Sequence, residues 1–284
     1  MSEGNSISLL GNISKPATVL IEKISGAVGA IFEPYQIIRV AEAEAKAEII
    51  KAEADIKITA LQRRALNRFV TEEAKKQANI ENITQKAIPQ LTDSSAPHNM
   101  EDDWITNFFD KCRIVSDTGM QSLWAKVLAG EANSPGAYSK RTVNFLGSLD
   151  KTDAQLFTTL CGFGWVIGDM VPLIYDAQAP IYNNQGVDFN SLTHLDDIGL
   201  ISFNSVVDFR RIKLPKKLPV IYRETVLIME FKNSENNELA IGHVLLTKIG
   251  KQLAQICGSK PIDGFQSYVT ERWTKAGLIF TILN

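Results

Sequence analysis

Cysteine is scarce in this chain, and the few thiols present are badly spaced for chemistry that needs two of them. Cys112, Cys161 and Cys257 are odd in number and far apart, so neither a disulfide framework nor a CxxC metal knuckle is expected. Histidine is equally sparse. His98, His194 and His243 show no HxH or HExxH spacing, and His194 with Asp196 and Asp197 is no ligand set, because residues two apart on a helix face different ways. Excess charge is missing too. Thirty basic residues against 32 acidic ones leave a net charge of -2, which removes the global field that would draw a chain onto nucleic acid. Phosphate-cradling glycine loops of the GxxxxGK[ST] or GxGxxG type are absent, and GAYSKRT is not a GxSxG elbow. No basic n-region opens the chain, so a cytoplasmic protein, at most peripheral to a membrane, is expected. With no ligand cluster, phosphate loop or nucleophile beside a base, we expect no enzyme, no cofactor and no metal.

What the chain has in quantity is helix. At 45% hydrophobic and 22% charged residues it has a globular composition. Ser14 with Pro16 marks a helix start, since the serine oxygen can accept from free N–H groups and proline does no harm in the first turn. Apolar residues then fall at Ile13, Ala17, Leu20, Ile24, Ala27 and Ile31, alternate steps of three and four that make one helical face. About seventeen residues before Pro34, with Glu22 and Lys23 among them, are too short and too polar for a membrane span. Packing on protein is the first expectation for residues 1–33. The alternative is a membrane-acting effector that uses residues 7–33, which has almost no basic polar face to support it.

From Tyr35 to Ile88 there is neither proline nor glycine. Read as one helix within residues 34–90, a run of over fifty residues would extend at least about 75 Å, more than twice the width of a small domain. Nine of the nineteen residues from Arg39 to Lys57 are charged, with i,i+4 pairs such as Glu42 with Lys46 and Glu53 with Lys57. Ile49, Ala52, Ile56, Leu66, Val70 and Ile80 hold a thin heptad seam broken by Thr59, Arg63, Glu73 and Gln77. Such a seam implies another helix. The expected oligomer interface is Leu20, Ile24, Ile31, Ile49, Ile56, Leu66 and Val70, and the chain is expected to form a homo-oligomer.

The stretch LTDSSAPHNMEDD is a linker by composition, and residues 91–167 read as a helical domain. Asp102 or Asp103 caps one helix, Ser116 starts a second that ends near Gly130, Ser139 caps a third, and Asp153 to Val166 makes a fourth. Trp104, Phe108, Phe109, Trp124, Phe145, Phe157, Phe163 and Trp165 are expected in a single core. The glycines of CGFGW fit close packing within the fourth helix. Glu101, Asp102 and Asp103 are explained by the dipole of a helix start. Residues 168–284 change character: GVDFNSLTHLDDIGLISF reads as helix, turn and strand, ETVLIMEF and ELAIGHVLL as a hairpin about Lys232 to Asn237, and LTKIGKQLAQIC as the helix after it. The fold expected is thus mainly α (α+β), ending in a degenerate winged-helix-like unit.

Two basic features are candidate binding sites. Ser139, Lys140 and Arg141 put two cations at a helix start and would suit a bound anion. FRRIKLPKKLP offers Arg210, Arg211, Lys213, Lys216 and Lys217 as a basic loop for nucleic acid. The nearby helix from Asn190 to Asp197 carries two aspartates and no cation, which argues against specific nucleic-acid binding.

The runs DDWITNFFDKC, VSDTGMQSLWAKVLAGEANSPGAYSKRT and VLLTKIGKQLA, behind the charged helix with QRRALNRF and QANIENI, resemble the bacterial family DUF2806 over nearly the whole chain. The block from LWAKVLAGE to PGAYSKRT carries most of the resemblance, which implies no catalytic residues. The Ala-Glu-rich helix is similar in composition alone to the ring-forming helices of the stomatin and prohibitin class. The resulting expectation is a self-assembling scaffold with an unidentified protein partner. A place in phage defence or stress response rests on association alone. A DNA-binding regulator is the remaining alternative.

Overall fold

The computed structural model describes residues 14–29, 31–32 and 59–283. The chain forms two compact units, Met1–Ser148 and Leu149–Asn284. Among the described residues the first unit is wholly helical and the second mixes helix with antiparallel sheet, so the chain is α+β.

In the first unit the helices are α1 (Lys15–Val28), α2 (Ala60–Ala87), α3 (Asp102–Cys112), α4 (Thr118–Asn133) and α5 (Lys140–Ser148). Helix α1 starts where its sequence says it should: the Ala17 amide donates to Ser14 Oγ at 3.4 Å, with Pro16 in the first turn. Its face of Ala17, Leu20 and Ile24 is fully buried and packs against α3 and the turn Pro97–Asn99.

Helix α2 is shorter than the proline- and glycine-free stretch predicts. Thr59 is extended, with ψ 154°, and its hydroxyl accepts from the Gln62 amide at 3.3 Å while Gln62 Oε1 accepts from the Thr59 amide at 2.9 Å. This reciprocal cap starts a helix, so an unbroken helix does not run through position 59. The 28 residues of α2 extend about 42 Å. Its last turns, with Asn79, Ile80, Ile83, Thr84 and Ala87 buried, pack on α4.

The caps of α3 and α4 fall one residue from expectation. Glu101 stands at the α3 N-cap with Asp102 and Asp103 in the first turn, facing the positive end of the helix. Asp117, not Ser116, caps α4 and accepts from the Met120 amide at 3.0 Å. In the core Trp104 stacks on Phe108, whose edge meets Trp124, both at 5.1 Å between centroids.

The second unit contains α6 (Lys151–Cys161), β1 (Gly164–Ile167), β2 (Asp169–Pro172), α7 (Pro180–Asn183), α8 (Phe189–Asp197), β3 (Ile201–Phe203), β4 (Phe209–Leu214), β5 (Lys217–Tyr222), β6 (Thr225–Glu230), β7 (Asn237–Gly242), β8 (Val244–Leu246), α9 (Lys248–Ala254), α10 (Phe265–Lys275) and β9 (Ile279–Leu283). The helix expected up to Val166 stops at Cys161. Gly164 opens β1, where a Cβ would lie 2.2 Å from Met170 Cε, so the glycine lets the Met170 side chain of β2 pack close against the strand and does not sit inside a helix. Because β1 is a strand of this sheet, the units divide after Ser148 and not after residue 167. The aromatic set divides with them. Phe157, Phe163 and Trp165 are buried in the second unit, Trp104, Phe108, Phe109 and Trp124 in the first, and Phe145 is half-buried.

Strands β3 to β8 nest: β3 pairs with β8, β4 with β7 and β5 with β6. The inner pair is the centre of a five-stranded sheet of order β2-β1-β5-β6-β9. The hairpin expected between β6 and β7 is therefore not formed. A two-residue turn at Arg223-Glu224, with Arg223 at φ 57°, closes β5 onto β6 in a six-residue register instead, and residues 232–236 lead across to β7. Trp165 and Tyr222 stack at 5.1 Å, with Trp273 edge-on to Trp165 at 4.9 Å.

Candidate functional site

The expected oligomer interface separates into parts of different standing. Leu20 and Ile24 have no exposed surface and Ile31 has 4%, all inside their own unit, so they are core and not a face offered to another molecule. The reason is local: α3 lies against α1, Lys23 pairs with Asp102, and the Phe32 amide donates to Glu81 Oε1 of α2 at 3.2 Å. In this fold the same side chains are covered by protein. Ile49 and Ile56 lie outside the described residues.

Leu66 is half-buried and Val70 is exposed, in the first half of α2. Beside them stand Leu61, 68% exposed, and Phe69, 60% exposed, which the heptad seam passes over. Leu61, Ala65 and Phe69 recur at i,i+4,i+8, so helical spacing alone places them in one stripe. Arg68 beside the stripe is paired with Glu72 at 3.5 Å, and Lys76 with Glu73 at 2.5 Å.

Ser139 caps α5, accepting from the Thr142 amide at 3.3 Å, and Lys140 lies 3.7 Å from Asp103. The cleft beside them is lined by Glu101, Trp104, Glu131, Tyr138, Ser139 and Lys140, with Arg141 not among its walls. Two carboxylates against one ammonium line it, so the cleft itself does not favour an anion beside Ser139 and Lys140. Glu131, 3% exposed, accepts from the Gly136 amide at 2.6 Å and the Tyr138 amide at 2.8 Å. Burial pushes its carboxyl above the usual range, and the charge of Glu101 adds to this. Tyr138 O in turn accepts from Trp104 Nε1 at 2.7 Å. Gly130 is required next door, since a Cβ there would lie 2.5 Å from the Tyr138 ring. The GE…PGAY part of the sequence is thus a loop latch.

The basic segment is two strands, β4 and β5, rather than a loop. Arg210 pairs with Glu238 at 3.3 Å, Arg211 with Asp169, and Lys216 and Lys217 share Glu230 at 3.3 and 3.6 Å. Among the described residues only Lys213 of the five has no carboxylate within salt-bridge distance. A row of cations neutralised by its own chain offers little counterion release to DNA. His194 pairs with Asp153 at 2.9 Å, and the described residues hold no group of three side chains that could bind a metal ion. Nor is any helix among them long and apolar enough to cross a membrane.

The partner of Arg211 was not legible in the sequence. Asp169, the first residue of β2, also takes Lys251 of α9 at 2.6 Å, and the three side chains stand at a cleft of about 280 Å³. The sequence separations are 42 and 82 residues, so no local pattern signals the cluster.

The model of the family described as "Protein of unknown function (DUF2806)" matches residues 63–270. The chain belongs to that family. Neither the curated proteins nor the solved structures contain a match to it. The DUF2806 match begins within α2 and ends within α10, so the loop latch, the nested strands and the Asp169 cluster all fall inside it, while α1 precedes it.

Proposed function

We propose that this DUF2806 chain is a non-enzymatic interaction protein that self-assembles through the first half of α2. One observation carries the reading: Leu61, Phe69 and Val70 stand in water on a helix whose last turns are core. Full burial of such a side chain is worth roughly 1.5 to 3 kcal/mol, so a partner surface is favoured. A second copy suits the stripe. Antiparallel pairing centred at Ala65 sets Leu61 of each copy against Phe69 of the other, with two small alanines at the crossing. The pairing of Arg68 to Glu72 on its own helix neutralises one cation at the rim.

Replacing Leu61 and Phe69 by Ser should reduce the mass measured by light scattering to that of one chain while leaving the cooperative melt, because both side chains are mostly exposed. A wild type that is monomeric at tens of micromolar, or a variant of unchanged mass, would overturn the proposal.

A further inference from the structure

The cleft at Asp169 has a composition that its own ion pairs do not account for. Val171, Ile241 and Leu246 contribute buried apolar surface to it, and Phe209 a further apolar wall, while Asp169, Arg211 and Lys251 supply the charge. One carboxylate is shared between two cations: Arg211 pairs with Asp169 Oδ1, and Lys251 Nζ lies 2.6 Å from Oδ2. The neighbouring Arg210 is occupied by Glu238. The cluster therefore has one positive charge in excess. Its ion pair is imperfectly satisfied, because Arg211 Nε and Asp169 Oδ1 are each buried with no hydrogen-bond partner, so both the guanidinium and the carboxylate keep unmet polar atoms. Burial of Arg211 lowers its pKa, the sign of a cation whose surroundings do not fully replace water. A guanidinium presents five N–H groups in a fixed fork, and a carboxylate or phosphate meets two of them at once.

We infer that this cleft is a binding site for a small organic anion, with a phosphate or carboxylate head between Arg211 and Lys251 and a short apolar body against Val171, Phe209 and Ile241. At about 280 Å³ the space lies at the bottom of the range for small-molecule pockets, which fits a compact molecule and not a polymer. Asp169 holds the two cations in place and competes with the ligand for them. This site is independent of the α2 stripe, so either inference can fail alone.

The test is calorimetry on the full chain with phenyl phosphate, benzoate and the neutral benzyl alcohol. Both anions should bind, and the alcohol should not. Tighter binding of phenyl phosphate would assign a phosphate ester as ligand, and tighter binding of benzoate a carboxylate. Lys251→Met, at a half-exposed position, and Arg211→Gln should each weaken anion binding at least tenfold. Asp169→Asn removes the competitor and should strengthen it, a result that a purely structural ion cluster would not give. Circular dichroism checks each fold, and Lys251→Met keeps the test decisive if Arg211→Gln unfolds. The inference is overturned if neither anion binds at millimolar concentration, if Lys251→Met binds as wild type does, or if Asp169→Asn weakens binding as Lys251→Met does.

Discussion

Glu131 shows how a single side chain can hold a loop against its own preference for water. Its carboxylate takes two backbone amides of the PGAY turn, yet burial holds its native pKa above the unfolded value of 4.5. A carboxyl with a raised native pKa takes up protons on folding. Its contribution to stability is complete below about pH 4.5 and is lost as the pH rises through the native value. Glu131→Gln keeps one acceptor and abolishes the titration. The unfolding free energy of wild type minus that of Glu131→Gln should therefore fall as pH rises from about 4 to 7, read from urea melts across the series. A difference independent of pH would mean that the carboxyl is not strained in the native state. Gly242 makes a simpler case: at φ 83°, its Cβ would lie 2.2 Å from the Ile174 carbonyl oxygen, so Gly242→Ala should destabilise the second unit by more than the few tenths of a kcal/mol typical of surface changes.

At the scale of elements, α1 separates burial from assembly. The periodicity of Ala17, Leu20 and Ile24 shows that a face must be covered, but it cannot say by what, and the cover is α3, eighty residues away in the chain. Leu20→Ala should cost roughly 2 to 5 kcal/mol in a denaturant melt without changing the mass of the folded species. A lower mass with an unaltered melt would return Leu20 to the interface. The same contrast explains what was legible elsewhere. The caps at Ser14 and Ser139, and the turn at Gly199, φ 84°, are local signals, and they were readable because side chain and backbone meet within a few residues. Strand β5 was hidden because Pro219 sits within it and Lys217 opens it, and proline normally demotes a strand. Its pairing with β6 is fixed by the turn at Arg223 rather than by any hydrophobic alternation in KKLPVIY. The basic segment misled for a related reason: its neutralising acids, Asp169, Glu230 and Glu238, stand on other strands, so the composition of the segment reads as a patch while the fold makes it a set of pairs. Residue identity also could not announce the end of α6, since Phe163 and Trp165 suit a helix face and a sheet equally well.

For the whole molecule, the decisive fact is that each unit owns an aromatic core. Trp104 and Trp124 belong to the first, where Phe108 joins them. Trp165 and Trp273 belong to the second, locked by Tyr222, whose hydroxyl donates to Gly162 O at 3.0 Å and accepts from the Ile262 amide at 2.9 Å. Trp273 Nε1 in turn donates to Tyr175 Oη at 2.9 Å. These bonds, together with a five-stranded sheet, are all internal to residues 149–284, and a segment of that length is long enough to bury a core of its own. Expressed alone, residues 149–284 should therefore fold cooperatively and keep the near-ultraviolet circular dichroism of fixed Trp165 and Trp273. They should bind phenyl phosphate as the full chain does, because every side chain of the Asp169 cleft is included. They should also be monomeric, because α2 is not. A fragment with helical far-ultraviolet signal but no near-ultraviolet bands would be a molten state and would show that the second core is not self-sufficient. A well-folded fragment that still assembles would move the self-association surface out of α2 and into the sheet-bearing unit.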